Sequence, residues 1–168
     1  MLVAVAALLI PVVLIYLWFS RIPEPQVRAV DWQPVVAQAR AEAPYSVAVP
    51  RNLPADWVVV RARWTALGEP GLDQKPAIGN TFQLGFLTSE RIYLGLDQRD
   101  TDSRGLIREV TRDGVADGES VLAGVGWQRF VSRDDRTRAL VRSDSESTLV
   151  ISGDVPYEAL EAFAATIA

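Results

Sequence analysis

Residues 126–152 read GWQRFVSRDDRTRALVRSDSESTLVIS. Three runs rich in β-branched and aromatic residues, 126–132, 137–142 and 147–152, alternate with polar links at 133–136 and 143–146. Short strands joined by short polar turns predict an antiparallel meander. The chain then passes Asp154, an expected N-cap, and Pro156, expected in a first helical turn. Tyr157, Leu160, Phe163 or Ala164, and Ile167 follow at helical spacing, so a terminal helix should lie against one face of the meander. Leu140, Leu149 and Ile151 are the strand residues it should cover.

Towards the N-terminus the pattern continues. Asp31 stands before a helical stripe of Trp32, Val35, Val36, Ala39 and Ala43, with Pro34 in the first turn and Pro44 as the stop. Residues 45–49 read as a short strand. Residues 57–64 alternate, with Val58, Val60, Ala62 and Trp64 facing one way and Arg61 and Arg63 the other. Residues 66–79, rich in Gly and Pro, read as a loop. Residues 81–87 set Phe82, Leu84 and Phe86 on one face, and residues 91–96 do the same with Ile92, Leu94 and Leu96. The intervening 88–90 suits a hairpin. Residues 106–110 fit either a helical turn or a strand, and Gly114, Gly118 and Gly124 mark turns. Helix, several sequential strands and a final helix predict an α+β domain of two layers, an antiparallel sheet with its opening and terminal helices.

The N-terminal run from Leu2 to Phe19 carries no charge. As a helix it would be about 27 Å long, enough to span a bilayer core of roughly 30 Å. Tyr16 and Trp18 fall where aromatic rings favour the interface. A cleaved signal peptide would need a basic start and a small-residue cleavage site, and Trp18-Phe19-Ser20-Arg21 is a poor one. A buried core helix is a further reading, weakened by the run's being apolar all round. The expected organisation is a transmembrane anchor at 1–20, a Pro-containing linker at 21–30 and an extracytoplasmic domain at 31–168. Arg21 and Arg28 would pull the other way under the positive-inside rule, but long domains translocate regardless of flanking charge. Basic residues upstream of Met1 would supply the inside charge.

Composition narrows the chemistry. There is no His and no Cys, which removes the commonest general base, Cys nucleophiles, thiolate metal sites and a Ser-His-Asp triad. The 17 basic residues are balanced by 21 acidic ones without a block of either sign, so no nucleic-acid footprint appears.

An ordered set of short pieces runs along the whole chain. Val30-Asp31-Trp32 opens a helix, followed by Pro50-x-x-Leu53-Pro54-x-x-Trp57 and Leu84-Gly85-Phe86. Gly126-Trp127, Ala139-Leu140-Val141-Arg142 and Leu149-Val150-Ile151-Ser152-Gly153 complete it before the final helix. With the hydrophobic N-terminus, this set resembles an actinobacterial family catalogued as domain of unknown function 4245. The resemblance implies a membrane-anchored envelope protein and brings no activity, cofactor or catalytic residue with it. The family pattern reads Gly-Thr where this chain has Gly153-Asp154, which touches only the helix cap.

Individual motifs point to structure first. Gly124-Val125-Gly126 lacks the third glycine and following helix of a dinucleotide fingerprint and reads as a turn. Asp97, Asp100, Asp102, Asp113, Asp117 and Glu119 could hold Ca²⁺ but match no EF-hand spacing, so solvated loops are expected. A Ser-Lys dyad would have to use Lys75, the only lysine, and no Ser stands beside it. Trp32, Trp57, Trp64 and Trp127 suit core packing, with a glycan- or peptide-lining role for one or two as the other reading. No catalytic, cofactor-binding or metal-ligating residue is singled out. The expected function is a non-enzymatic binding module at the cell membrane. It would meet the lipid bilayer through Leu2 to Phe19 and an envelope protein or wall component through its domain. A small carboxylate-dependent envelope hydrolase is the alternative; two acids aligned in a deep cleft would favour it.

Overall fold

The computed structural model describes Val12, Ile15, Tyr16 and residues 28–167. Val12, Ile15 and Tyr16 are helical and exposed, and the rest of the expected anchor and most of the expected linker lie outside the described residues. Among the described residues no helix is long and apolar enough to cross a membrane.

The elements run α1 (Gln33–Glu42), β1 (Val58–Thr65), β2 (Thr81–Leu87), β3 (Tyr93–Arg99), α2 (Ser103–Thr111), β4 (Val115–Leu122), β5 (Val125–Val131), β6 (Arg138–Ser143), β7 (Thr148–Gly153) and α3 (Tyr157–Ala164). The strands form one antiparallel sheet in the order β1-β2-β3-β7-β6-β5-β4. Two meanders, β1–β3 and β4–β7, therefore meet at a seam between β3 and β7, in register from Leu94↔Gly153 to Arg99↔Thr148.

Alternation along the strands gives the sheet two unlike faces. One carries Phe82, Leu84, Phe86, Leu94, Leu96, Leu140, Leu149 and Ile151, all buried beneath α1, residues 45–49 and α3. Phe163 of α3 packs edge-on to Phe86, with ring centroids 5.2 Å apart, and also meets Trp57 at 5.6 Å. Trp64 and Trp127 are buried in this core, while Trp32 and Trp57 are partly buried at its margin. The opposite face is covered by α2, whose Leu106 sits among Ala139, Val141 and Val150 with Ile107, Val110 and Phe130 alongside.

The antiparallel α+β architecture agrees with the expectation, but the two-layer arrangement is corrected. Residues 103–111 form a helix on the far face, giving three layers over β6 and β7. Asp102 caps it, accepting from the Gly105 amide at 3.1 Å. A Cβ on Gly105 would collide with the Asp102 carboxylate, so this cap geometry requires glycine there.

Four local readings also change. Residues 45–49 are not a ladder strand: Gln98 takes the place of a partner backbone, accepting from the Ala48 amide at 2.8 Å and donating to the Ser46 carbonyl at 2.9 Å. A bulge between Val59 and Arg61 reverses the phase of β1, so Val59, not Val58 or Val60, faces the core together with Trp64. Residues 115–122, read only as turns, form edge strand β4, with a bulge at Gly118 (φ +92°). Neither helix begins as expected. Asp31 accepts from the Gln33 amide at 3.2 Å just ahead of N-cap Trp32, and Asp154 instead binds Thr137 Oγ1 at 2.6 Å and Arg136 at 3.3 Å. The linker's last residue also joins the sheet margin, Val30 donating to the Val59 carbonyl at 2.8 Å.

Candidate binding groove on the open half of the sheet

On the α2 face, α2 covers only part of the sheet. Nine residues make a helix about 13 Å long and roughly 10 Å wide, enough for two or three strands spaced about 4.8 Å apart. The strands β1 and β2 are left without a helix on this side among the described residues, and α2 reaches β3 only at its margin, through Glu109 and Arg99. From the row of Arg99 to the row of Gly95 the residues they present here are polar or glycine.

The register fixes the order of those side chains. One row runs Thr65, Thr81, Arg99; the next Arg63, Gln83, Asp97; the third Arg61, Gly85, Gly95. The loop 66–79 borders them. It doubles back through an isolated bridge between Pro70 and Pro76, with Arg63 donating to the Pro70 carbonyl at 2.7 Å and Thr101 to the Ile78 carbonyl at 2.9 Å. The result is a groove made of two hollows of about 470 and 550 Å³ that share Leu72, Gln83 and Glu109 in their walls. Cavities of this size accept small organic ligands.

Asp97 is the unusual group on the groove floor. Only 7% of it is exposed. It accepts a hydrogen bond from Gln83 Nε2 at 2.6 Å. Burial drives its pKa above the ordinary carboxylate value; Arg61, the Gln83 hydrogen bond and Arg99 pull it back, while Glu109 adds to the rise. Desolvation prevails, so the carboxyl retains its proton to higher pH than a surface aspartate would. Glu109, on α2, is held by Arg99 at 3.1 Å.

Tyr93 lies across two glycines beside this carboxyl. A Cβ on Gly85 would meet the Tyr93 ring carbons at 2.8 and 2.9 Å, so the phenol rests directly on the Gly85 backbone. A Cβ on Gly95 would meet the Ser152 hydroxyl at 3.2 Å, the Asp97 carboxylate at 3.4 Å and the Tyr93 ring at 3.5 Å. Tyr93 is 43% exposed, leaving part of the ring facing out.

The groove is cationic. Arg61, Arg63, Lys75, Arg91, Arg99, Arg112 and Arg136 line it against Asp73, Asp97, Glu109 and Asp154. Seven cations against four acids reverse the sign of a chain whose net charge is −4. Some of these cations are committed: Arg99 to Glu109 and Thr81, Arg63 to Thr65 and Pro70, Arg136 to Asp154. Arg61 is different. Its charge acts on Asp97, but its guanidinium donates no hydrogen bond to any described residue.

The acids of residues 97–119 are dispersed rather than gathered. Asp97 enters the sheet, Asp100 receives the amide and side chain of Asn80, Asp102 caps α2, and Asp117 accepts from Tyr157 Oη at 2.8 Å. Asp113 takes a left-handed conformation (φ +57°) after α2, and Glu119 lies across the sheet beside Trp127. Lys75 pairs with Asp73 at 3.4 Å on the exposed loop. Ala123 and Gly124 form the left-handed two-residue turn of the β4–β5 hairpin, so the Gly-x-Gly is a turn. The groove residues Arg61, Gln83, Tyr93 and Asp97 were not anticipated as a set. The available signal was parity: on strands with Leu84 and Leu96 turned inward, Gln83, Gly85, Tyr93, Gly95 and Asp97 must share the other face.

Among curated proteins no match is found. The family described as a protein of unknown function (DUF4245) matches residues 1–167, and the chain belongs to that family.

Proposed function

We propose that this chain is a membrane-anchored cell-envelope protein whose folded part is a non-catalytic binding module, with its ligand seated in the groove on β1–β3. Leu2 to Phe19 would be the anchor, and the domain would lie outside the cytoplasm. The observation that carries the binding reading is the polar, cationic half-sheet around Asp97. A sheet half without a helix would ordinarily be dry and apolar beneath a neighbour, or fully solvated. This one is walled by an ordered loop and holds a buried carboxyl that costs free energy to keep.

The hydrolase alternative draws less support from the same groove. It needs two carboxyls free to face a substrate about 5–9.5 Å apart. Asp97 and Glu109 feel one another, but the first is bonded to Gln83 and the second to Arg99.

Site-specific photo-crosslinking in cells tests the binding reading. A photoreactive residue at Leu72, on the groove rim, should yield a discrete adduct, and one at exposed Val121 on β4 should not. Equal labelling from both positions, or none from Leu72, would count against the groove as the binding surface. Alkaline extraction of membranes, followed by protease treatment of intact cells, tests the anchor and its orientation. Recovery of the chain in the soluble fraction would remove the anchored part of the proposal.

A further inference from the structure

The groove's chemistry narrows its ligand, if the binding reading above is right. Three features need to be satisfied together. The first is Arg61, a cation on the third row of the open half-sheet, beside Gly85, with no hydrogen-bond partner among the described residues. A guanidinium offers five N–H donors in a planar fork that matches a carboxylate. The second is Tyr93, whose ring packs against the Gly85 backbone and is 43% exposed where it lines the groove. Flat aromatic surfaces recognise rings with a weakly polar face. The third is the pair Gln83 and Asp97, two planar polar groups fixed to each other at 2.6 Å on the floor. Between them they can donate to and accept from hydroxyl groups.

An inorganic anion would use the first feature alone. A long apolar ligand would meet Leu72 and Ile78 on the rim but would strand the polar floor without partners. An acidic peptide would use Arg61 and the surrounding cations but has no need of the Gly85–Gly95 shelf beneath Tyr93. A pyranose ring bearing a carboxylate uses all three: ring on Tyr93, hydroxyls on Gln83 and Asp97, carboxylate on Arg61. The excess of cations around an otherwise acidic chain is complementary to a polymer of such units.

We propose that the groove on β1–β3 binds an acidic saccharide, with Arg61 receiving the sugar carboxylate and Tyr93 stacking on the ring. The site would take a short stretch of a uronate-type glycan rather than a neutral one.

Calorimetric titration of the full chain in detergent micelles, at low and at physiological salt, tests this with three probes: trigalacturonate, the neutral trisaccharide galactotriose, and hexaglutamate. Trigalacturonate should bind at least tenfold more tightly than galactotriose. Arg61→Gln should weaken it by at least tenfold, and Tyr93→Ala by a similar factor that persists at high salt. Both variants should melt close to the parent, because Arg61 has no hydrogen bond among the described residues to lose and Tyr93 is substantially exposed. If either melts early, Tyr93→Phe, which keeps the ring, must retain binding. Equal affinity for the acidic and neutral trisaccharides, or trigalacturonate binding indifferent to Arg61→Gln, would overturn the proposal. Hexaglutamate binding that needs Arg61, without trigalacturonate binding, would overturn the saccharide while leaving the groove as a binding surface. No groove-dependent binding of any probe, together with no crosslink from Leu72, would remove both.

Discussion

The two halves of the α2 face share strands, register and chain, and differ in almost everything else. In the covered half, Val150, Val141, Ala139 and Phe130 meet Leu106, Ile107 and Val110. In the open half the same rows continue as Asp97, Gln83 and Arg63, and as Gly95, Gly85 and Arg61. The border is sharp: Asp97 is the direct ladder partner of Val150, and Gly95 of Ser152. The covered half uses its side chains to exclude water, the ordinary means by which a sheet face gains stability. The open half holds a desolvated carboxyl, two glycines and unevenly paired arginines, none of which is the stabilising choice. Such a divided face separates holding the fold together from presenting a surface.

That contrast can be broken most forcefully from the covered side. Leu106→Ala should cost about 2–5 kcal/mol, because it removes the side chain that fills the space between α2 and β6–β7. Thermal unfolding of the full chain in detergent should register it as a large fall in melting temperature. Arg61→Gln, in the open half, should cost less than about 0.5 kcal/mol. If the two losses were similar, the division of labour between the halves would be wrong.

Asp97→Asn should act in the opposite direction to a core truncation. The folded carboxyl has a pKa above its ordinary value of 3.8. Below that value both folded and unfolded chains hold the proton, and its burial is fully tolerated. As pH rises from about 4 through the folded pKa, the native state binds more protons than the unfolded one, so stability falls. The amide cannot ionise and can still accept from Gln83. The variant should therefore melt higher than the parent at pH 8, with the difference shrinking towards zero as the pH approaches 4. A variant less stable than the parent at pH 8 would mean that the charge is favourable where it sits.

Glu109→Gln sharpens the same point with a smaller effect. Glu109 is largely exposed, so loss of its pair with Arg99 should change stability by no more than about 1 kcal/mol. It also removes a negative charge that raises Asp97, and should lower the Asp97 pKa. Carboxyl-resolved NMR titration of parent and variant measures that shift; a rise would contradict the arrangement of charges in the groove.

Much of the covered core was legible in the sequence, because periodicity reports burial against an apolar neighbour. Phe82, Leu84, Phe86, Leu94, Leu96, Leu140, Leu149 and Ile151, with Leu160 and Phe163 above them, occupy the face their alternation and helical spacing predicted. Three features escaped that signal. Strand β4 reads VADGESVL and is exposed along most of its length, so its turn-forming Asp117 and Gly118 outweighed a weak strand pattern. Val59 faces the core only because a bulge inserts one residue, which the unbroken alternation of β1 conceals. Residues 45–49 look like a strand, but a side chain, Gln98, satisfies their backbone. The groove was hidden for another reason. Asp97 reads as one more loop acid in the sequence, because the apolar alternation stops at Leu96, whereas β3 runs on to Arg99. Its burial depends on Gln83 and Arg61 arriving from two other strands, and no local pattern encodes that meeting.

The β3–β7 seam has a consequence for how the chain reaches this structure. Within each meander, partners are brought together mostly by short links, such as the Ala123-Gly124 turn between β4 and β5. The seam pairs residues about fifty or more positions apart, from Arg99↔Thr148 to Leu94↔Gly153. Closing a loop of that size costs about 2 kcal/mol more in chain entropy than closing a five-residue link. Local hairpins should therefore form early and the seam late, and the overall rate should be that of a chain dominated by distant contacts. Until the seam closes, β3 and β7 are both free edges, with Leu94, Leu96, Leu149 and Ile151 uncovered. That interval is when a second unfinished copy could pair with either edge, so the slowest step of folding is also the one most exposed to aggregation.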